Sequence, residues 1–199
     1  TIESSGDLEC QNANGEADGW QDCVADDYVT AGTSLRLTPA ANSVADITFS
    51  FKVHDGTAYS ASSYVMTVSV TAANDAPTFS ATANDLTVNE DTAGTITGTT
   101  VADIDDSSLT MTVASTQSAT FSLATTTGLT FSAGDGTSDN TMTFSGTTAN
   151  VNNAIATVTW TSQLNNNNNA QLSFTVSDGE AGDVVDTVAI TVNAVQDLP

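Results

Sequence analysis

The sequence predicts an all-β protein made of two β-sandwiches in tandem, of which the first is incomplete or atypical. Three observations support this prediction: a long internal repeat, short runs of alternating polar and apolar residues, and a shortage of helix formers. Thr, Ser, Val, Ala and Asn dominate the chain, whereas Lys, Arg, Glu and Leu are scarce. Because Thr and Val favour strands, very little helix is expected.

The internal repeat sets the domain organisation. The segment that begins Phe51-Lys52-Val53-His54-Asp55-Gly56 and ends at Pro77 recurs late in the chain, from Phe174 to Pro199. A long repeat of this kind marks a tandem array of like domains. We therefore predict a partial or atypical domain over residues 1–75, with a disulfide-stapled N-terminal loop. A complete sandwich follows over residues 76–199 and ends in the next linker.

The first predicted domain has far fewer residues ahead of the repeat than the second. Its usual opening strands are therefore missing, or they are replaced by the segment that carries the cysteines. A sandwich that lacks a strand has an open edge, which must be covered. Another part of the parent protein, or a neighbouring subunit, could cover this edge by strand complementation.

Alternating runs rich in β-branched and aromatic residues predict short strands between Gly, Asn, Asp and Ser clusters, a pattern typical of a β-sandwich. In the first domain they lie at 34–37, 46–53 and 64–70. In the second they lie at 85–88, 94–97, 109–113, 119–123, 128–131, 141–144, 156–160, 171–176 and 187–192. One helical turn is expected at 151–155 behind an N-cap at Asn150. The Asn-rich stretch 165–169 is interpreted as a polar loop tip.

The charge balance argues against nucleic acids and anionic membrane surfaces as partners. The chain has 24 acidic residues against two basic ones, Arg36 and Lys52, and a formal net charge of −22. Nucleic acids and anionic membrane surfaces both need clustered Lys and Arg. No apolar run reaches the length of a membrane span. The acidity is explained either by solubility in a salty environment or by bound Ca²⁺.

Cys10 and Cys23 are the only cysteines. In an extracellular protein such a pair is expected to form a disulfide, which would stabilise the fold by about 3 kcal/mol in the loop-entropy description. Two buried free thiols are the alternative.

Several motifs, taken in order, resemble the cadherin-like, immunoglobulin-fold repeats of large bacterial surface and adhesin proteins. The resemblance covers roughly residues 33–199 and rests on these segments: Leu37 to Asn42, Phe49 to Gly56, Asn74-Asp75-Ala76-Pro77, Val88-Asn89-Glu90-Asp91, Asp103-Ile104-Asp105 and Asn150 to Thr159. It implies tandem immunoglobulin/cadherin-like sandwiches with Ca²⁺ at the domain junction. The closing Val195-Gln196-Asp197-Leu198-Pro199 departs from the usual Asn-Asp-Ala-Pro.

The resemblance and the preference of Ca²⁺ for six to eight oxygen ligands place a candidate site at the junction. Asp103 and Asp105, in a loop between strands, and Asp178, in a hairpin turn, are expected near the linker residues Asn74 and Asp75. Glu90 would serve the opposite end of the domain with Asp197. Simple hairpin-turn chemistry remains the favoured interpretation of Asp55-Gly56 and Asp178-Gly179.

A second candidate calcium loop lies between the cysteines. Residues 12–22 resemble the calcium loops of thrombospondin type 3-like repeats, with Asn12, Asn14 and Asp18 as ligands. The first ligand position falls on Cys10, and the next two are Asn rather than Asp. A solvated, disulfide-stapled turn is therefore the alternative.

Enzymatic interpretations have little support. His54 is the only histidine, and the repeat replaces it with Ser177. Zinc sites and Ser-His-Asp triads need histidine at positions that this chain does not offer.

We therefore predict a non-catalytic structural or adhesive repeat of an extracellular surface, matrix or filament protein, whose partners are neighbouring repeats or copies of itself. The alternatives are a carbohydrate- or protein-binding tip module and an accessory module of a secreted polysaccharide-active enzyme. Both would need an exposed aromatic side chain, for which Trp20 is the candidate, since Trp160 is predicted to face the core.

Overall fold

The computed structural model of the chain describes residues 6–11, 20–23 and 34–196. The chain divides into two compact units, Thr1–Ala73 and Asn74–Pro199. This division places Asn74 and Asp75 in the second unit, close to the predicted domain boundary after residue 75.

The first unit contains five described strands in two small antiparallel sheets. They are β1 (Gly6–Gln11), β2 (Trp20–Asp22), β3 (Leu35–Pro39), β4 (Ile47–Phe51) and β5 (Tyr64–Val68). One sheet has the order β2-β1-β3, and the other is the β4–β5 hairpin. The Cys10–Cys23 disulfide is present, with 5.3 Å between the Cα atoms, so the predicted pairing is confirmed. Leu8, Cys10, Ile47 and Phe49 are the buried apolar residues in the described part of this unit.

The second unit, as described over residues 74–196, contains eleven strands and one helix. They are β6 (Thr78–Ala81), β7 (Leu86–Asn89), β8 (Ala93–Thr97), β9 (Thr100–Ala102), β10 (Ser108–Ser115), β11 (Ala119–Leu123), β12 (Thr130–Ala133), β13 (Thr141–Thr147), α1 (Thr148–Ile155), β14 (Thr157–Ser162), β15 (Ala170–Ser177) and β16 (Val184–Asn193). A six-stranded sheet has the order β12-β13-β10-β15-β16-β7, and a three-stranded sheet has the order β11-β14-β8. A β6–β9 pair completes the unit.

This arrangement confirms the all-β sandwich prediction. Strands β10, β15 and β16 lie side by side in one sheet, and β8, β14 and β11 in the other. The same two groupings characterise immunoglobulin-type sandwiches. Every pairing between the strands named above is antiparallel except that of β7 with β16, which is parallel.

Along the central strands of the second unit every second side chain points into the core. In β15 every second residue from Ala170 to Val176 is buried, and β14 alternates in the same way. Trp160, Phe121, Phe144 and Phe174 are the largest fully buried side chains, so the prediction that Trp160 faces the core is confirmed. Burying a side chain of this size typically stabilises a fold by about 2–3 kcal/mol relative to exposure.

The helix begins earlier than predicted. Thr147, not Asn150, is the N-cap of α1, and its hydroxyl accepts a hydrogen bond from the Asn150 backbone N–H at 3.2 Å. The Asn150 amide instead donates to the Gly128 carbonyl at 3.3 Å. The expected cap was wrong because Asn150 already lies in the first turn of α1, where its amide contacts a distant loop, and Thr147 caps the start of the helix.

The two copies of the repeat form equivalent hairpins, β4–β5 in the first unit and β15–β16 in the second. Gly56 and Gly179 follow these strands with φ values of 97° and 89°. Glycine adopts this left-handed conformation without strain, which explains the Asp-Gly dipeptide in both copies.

Candidate functional site

Five residues at the linker end of the second unit form the candidate site, and we call them the linker-end cluster: Asn74, Asp75, Asp103, Asp105 and Asp178. Asn74 and Asp75 precede β6, Asp103 and Asp105 lie between β9 and β10, and Asp178 follows β15. The Asn74 side-chain amide donates to Asp178 Oδ2 at 2.8 Å. The Asp75 backbone N–H donates to Asp105 Oδ2, also at 2.8 Å. Two hydrogen bonds therefore hold the start of this unit against two of its loops.

Asp103 organises its own loop. Its Oδ1 accepts hydrogen bonds from the backbone N–H groups of Asp105 at 2.8 Å and Asp106 at 2.7 Å. Its Oδ2 is buried and has no hydrogen-bond partner. A buried polar atom without a partner costs free energy, and such atoms are rare in native proteins. Asp103 Oδ2 is therefore the feature of the cluster that its internal hydrogen bonds do not explain.

Asp178 has both of the roles that its sequence context suggested. Its Oδ1 accepts from the backbone N–H groups of Glu180 at 2.8 Å and Ala181 at 2.9 Å, which is turn chemistry. Its Oδ2 accepts from Asn74. The hydrogen bond from the Asn74 amide, followed by that from the Glu180 N–H, lowers the pKa of Asp178. Asp55 makes the same turn in the first unit, where the Ala58 and Thr57 N–H groups lower its pKa.

The cluster is not a ready-made metal cage. Among the described residues, no group of three or more His, Cys, Asp or Glu side chains is arranged to hold a metal ion. The donors that do meet are carboxylate and amide groups, which is the chemistry that Ca²⁺ prefers. Asn74 presents its NH₂ group to Asp178, and an amide can offer its carbonyl oxygen instead by rotating through half a turn.

The opposite end of the second unit has a different organisation. Glu90 is buried, and its Oε1 accepts a hydrogen bond from the Val195 backbone N–H at 2.7 Å. Asp91 has a positive φ of 61°, and its Oδ1 accepts from the Asn165 N–H at 2.7 Å. Asp197, the expected partner of Glu90, lies outside the described residues. The candidate loop ligands Asn12, Asn14 and Asp18 lie outside them as well.

One surface feature of the first unit was missed from the sequence. Arg36 donates from Nη2 to Glu9 Oε1 at 2.7 Å, and its guanidinium lies 4.7 Å from the centre of the Trp20 ring. The hydrogen bond from Arg36 lowers the pKa of Glu9, and the same bond raises that of Arg36. The alternation of Asp7-Leu8-Glu9-Cys10-Gln11 was the signal that could have predicted β1 and this contact.

No protein-family model matches the sequence, and a comparison with curated proteins finds no match. Among solved structures, the titin domains Z1Z2 in complex with telethonin align with 96% of this chain and 83% of theirs, at 12% identity and a TM-score of 0.32. Domains 4 and 5 of the S-layer protein SbsC align with 94% of this chain and 70% of theirs, at 16% identity and a TM-score of 0.29. Tandem Ig repeats of Dlar align with 96% of this chain and 84% of theirs, at 9% identity and a TM-score of 0.27. No helix in the described part of the chain is long and apolar enough to span a membrane.

Proposed function

We propose that the chain is a non-catalytic structural or adhesive repeat segment of an extracellular surface, matrix or filament protein. The observation that carries this proposal is the pair of contacts from Asn74 to Asp178 and from Asp75 to Asp105, which tie the start of the second unit to its own loops. Spacer repeats need such contacts because a loose linker transmits no orientation. The Cys10–Cys23 disulfide supports an extracellular location, since disulfides persist in oxidising compartments.

Calcium binding at the linker-end cluster is the second part of the proposal. Asp103 Oδ2 is buried without a partner, and a cation would compensate this carboxylate oxygen. Rotation of the Asn74 amide would turn its carbonyl oxygen, a possible Ca²⁺ ligand, towards Asp178 Oδ2. The net charge of −22 also favours uptake of a divalent cation, because the chain repels itself otherwise.

Calcium should therefore raise the melting temperature of the second unit. A ligand that binds only the folded state stabilises it by about 2.7 kcal/mol at a hundredfold excess over Kd. For a domain of this size that corresponds to a shift on the order of 10 °C. The measurement is a thermal melt with Ca²⁺ or with chelator, followed by Trp160 fluorescence in a Trp20→Phe background. A melting temperature that Ca²⁺ leaves unchanged would disprove the calcium proposal.

Asp103→Asn separates ligation from folding. The variant keeps an oxygen that can accept from Asp105 and Asp106, and it replaces the unpartnered carboxylate oxygen by a neutral NH₂ group. In chelator its melting temperature should therefore equal or exceed that of the wild type, whereas the increment with Ca²⁺ should disappear. Asp135→Asn is the matched control, because Asp135 makes a similar turn bond to Thr137 at 2.9 Å in a different loop. It should keep the full increment.

Trp20 supports a carbohydrate- or protein-binding surface as the alternative. Its side chain is 37% exposed beside the Glu9–Arg36 pair, an arrangement in which a ring can stack against a sugar or a partner's side chain. Glycan-array and pull-down binding that Trp20→Ala abolishes would favour this alternative. Electron microscopy of the native assembly would separate a spacer from a polymer.

A further inference from the structure

The two equivalent hairpins have different neighbours. In the second unit β15 also pairs with β10, and β16 also pairs with β7. In the first unit, among the described residues, β4 and β5 pair only with each other. The outer side of β5, which faces away from β4, therefore has no partner strand among the described residues. We call it the β5 edge.

The β5 edge is exposed along its whole length. All five residues from Tyr64 to Val68 are exposed, and Val65 reaches 66%. Four of the five are apolar or aromatic. An exposed, apolar edge strand presents unpaired N–H and C=O groups to another chain, and proteins usually protect such edges with charges or Pro. Strand β5 contains neither of these protective features.

Charge indicates which chain can approach this edge. Residues 34–73 contain two basic residues, Arg36 and Lys52, and two acidic ones, Asp46 and Asp55. Their charges cancel, so the whole net charge of −22 lies outside this segment. Two copies that meet through acidic surfaces bring like charges together, which opposes association. Two copies that meet through β5 bring together neutral, apolar surfaces.

We propose that β5 pairs antiparallel with β5 of a second copy, about a two-fold axis at Met66. The pairing joins two hairpins into one four-stranded sheet, β4-β5-β5-β4. It places Met66 opposite Met66 of the second copy, and Val65 opposite Thr67. The contact is self-complementary, as a two-fold interface requires. This inference rests on the proposed role as an assembling structural repeat and names its partner, but it does not involve calcium.

A charge on the edge tests the pairing. Val65→Lys places an ammonium on each side of the axis, and we expect the dimer dissociation constant to rise about tenfold or more in sedimentation equilibrium. Val185→Lys is the matched control. Val185 is 56% exposed in β16 of the second unit, where it pairs with Thr175 of β15 and lies outside the proposed contact. This control should dimerise like the wild type, and circular dichroism should show that both variants are folded.

A cysteine at the axis tests the register. Directly opposed residues of antiparallel strands have Cα atoms roughly 4.5–5.5 Å apart, which a disulfide can bridge. Met66→Cys should therefore form a covalent dimer when diamide is added. Val44→Cys, at a similarly exposed position outside the strands, should remain monomeric under the same conditions. Both native cysteines are already paired with each other.

The salt dependence distinguishes this inference from the calcium proposal. Added NaCl, up to about 0.5 M, should strengthen the dimer equally in chelator and in Ca²⁺, because it screens repulsion between the acidic surfaces. Dimerisation that requires Ca²⁺ and survives Val65→Lys would overturn the inference and leave the calcium site intact. A wild type that stays monomeric in high salt, with no Met66→Cys cross-link, would also overturn it.

Discussion

At the scale of single residues, Asp178 shows how one carboxylate can serve both a turn and a linker. Its two oxygens have separate partners: Oδ1 accepts from the turn, and Oδ2 accepts from Asn74. Asp55 makes the same turn in the other copy of the repeat. The Asp-Gly motif therefore needs only turn chemistry, and the bond to Asn74 is an additional feature of the second unit.

The stability contributed by Asp178 should depend on pH. Its pKa is lowered in the folded state, chiefly by the Asn74 amide. A carboxyl group whose pKa is lower in the folded state stabilises the protein at pH values above its unfolded-state pKa, which is about 3.9. This stabilisation is lost as the pH falls through the folded-state pKa. The difference in urea midpoint between wild type and Asp178→Asn should therefore shrink below about pH 4. Asn74→Ala, which keeps the carboxyl group, should remove part of the same pH dependence. A difference that stays constant down to acidic pH would contradict this assignment.

At the scale of elements, helix α1 fixes the short strand β9. Asn152 Oδ1 accepts from the Val101 backbone N–H at 2.8 Å, and its Nδ2 donates to the Val101 carbonyl at 2.9 Å. The side-chain amide thus pairs with a strand residue much as a neighbouring strand would. Strand β9 has three residues and, among the described strands, pairs only with β6, so it gains a second attachment in this way.

Asn152→Ala should destabilise the second unit by about 2–3 kcal/mol, because it leaves a part-buried N–H and C=O without their partner. Asn153→Ala is the matched control on the same helix, since Asn153 is exposed. Asn153→Ala should change the free energy of unfolding by no more than about 0.5 kcal/mol. The measurement is urea denaturation followed by Trp160 fluorescence. Equal losses in the two variants would mean that helix propensity, not the contact with β9, determines the effect.

Most of the second unit could be predicted because its strands are long and alternate regularly. Strands β6 and β9 were missed because they have only four and three residues and include small residues. Thr and Asn both cap helices well, so the sequence alone did not distinguish Thr147 from Asn150 as the N-cap. In the linker-end cluster, the contact between Asp75 and Asp105 uses a backbone N–H, which every residue except proline carries. Residue type therefore gave no signal for that bond.

At the scale of the whole molecule, each unit has its own stabilising features and its own fluorescent reporter. The chain has two tryptophans and two cysteines. Trp20 and the disulfide lie in the first unit, whereas Trp160 lies in the core of the second. Among the described residues the large aromatic core lies in the second unit, so we expect the first unit to depend more strongly on its disulfide.

Reduction should therefore affect the two units differently. Dithiothreitol should destabilise the first unit by about 3 kcal/mol, the loop-entropy value for a loop of this length. The second unit has no cysteine, so its transition should not move. Melts of Trp20→Phe and Trp160→Phe variants, with and without the reductant, report the two units separately. A shift in the Trp160 signal on reduction would show that the units do not unfold independently.

The parallel pairing of β7 with β16 has a consequence for a protein under tension. Leu86 lies opposite Ile190, and Asn89 lies opposite Asn193, so the first strand of the large sheet runs alongside the last in the same direction. Pulling the unit from its two ends would slide these strands past each other and load all their hydrogen bonds at once. Bonds loaded together in shear resist rupture far better than bonds that open one after another. A repeat that carries tension would gain resistance to unfolding from this pair of strands.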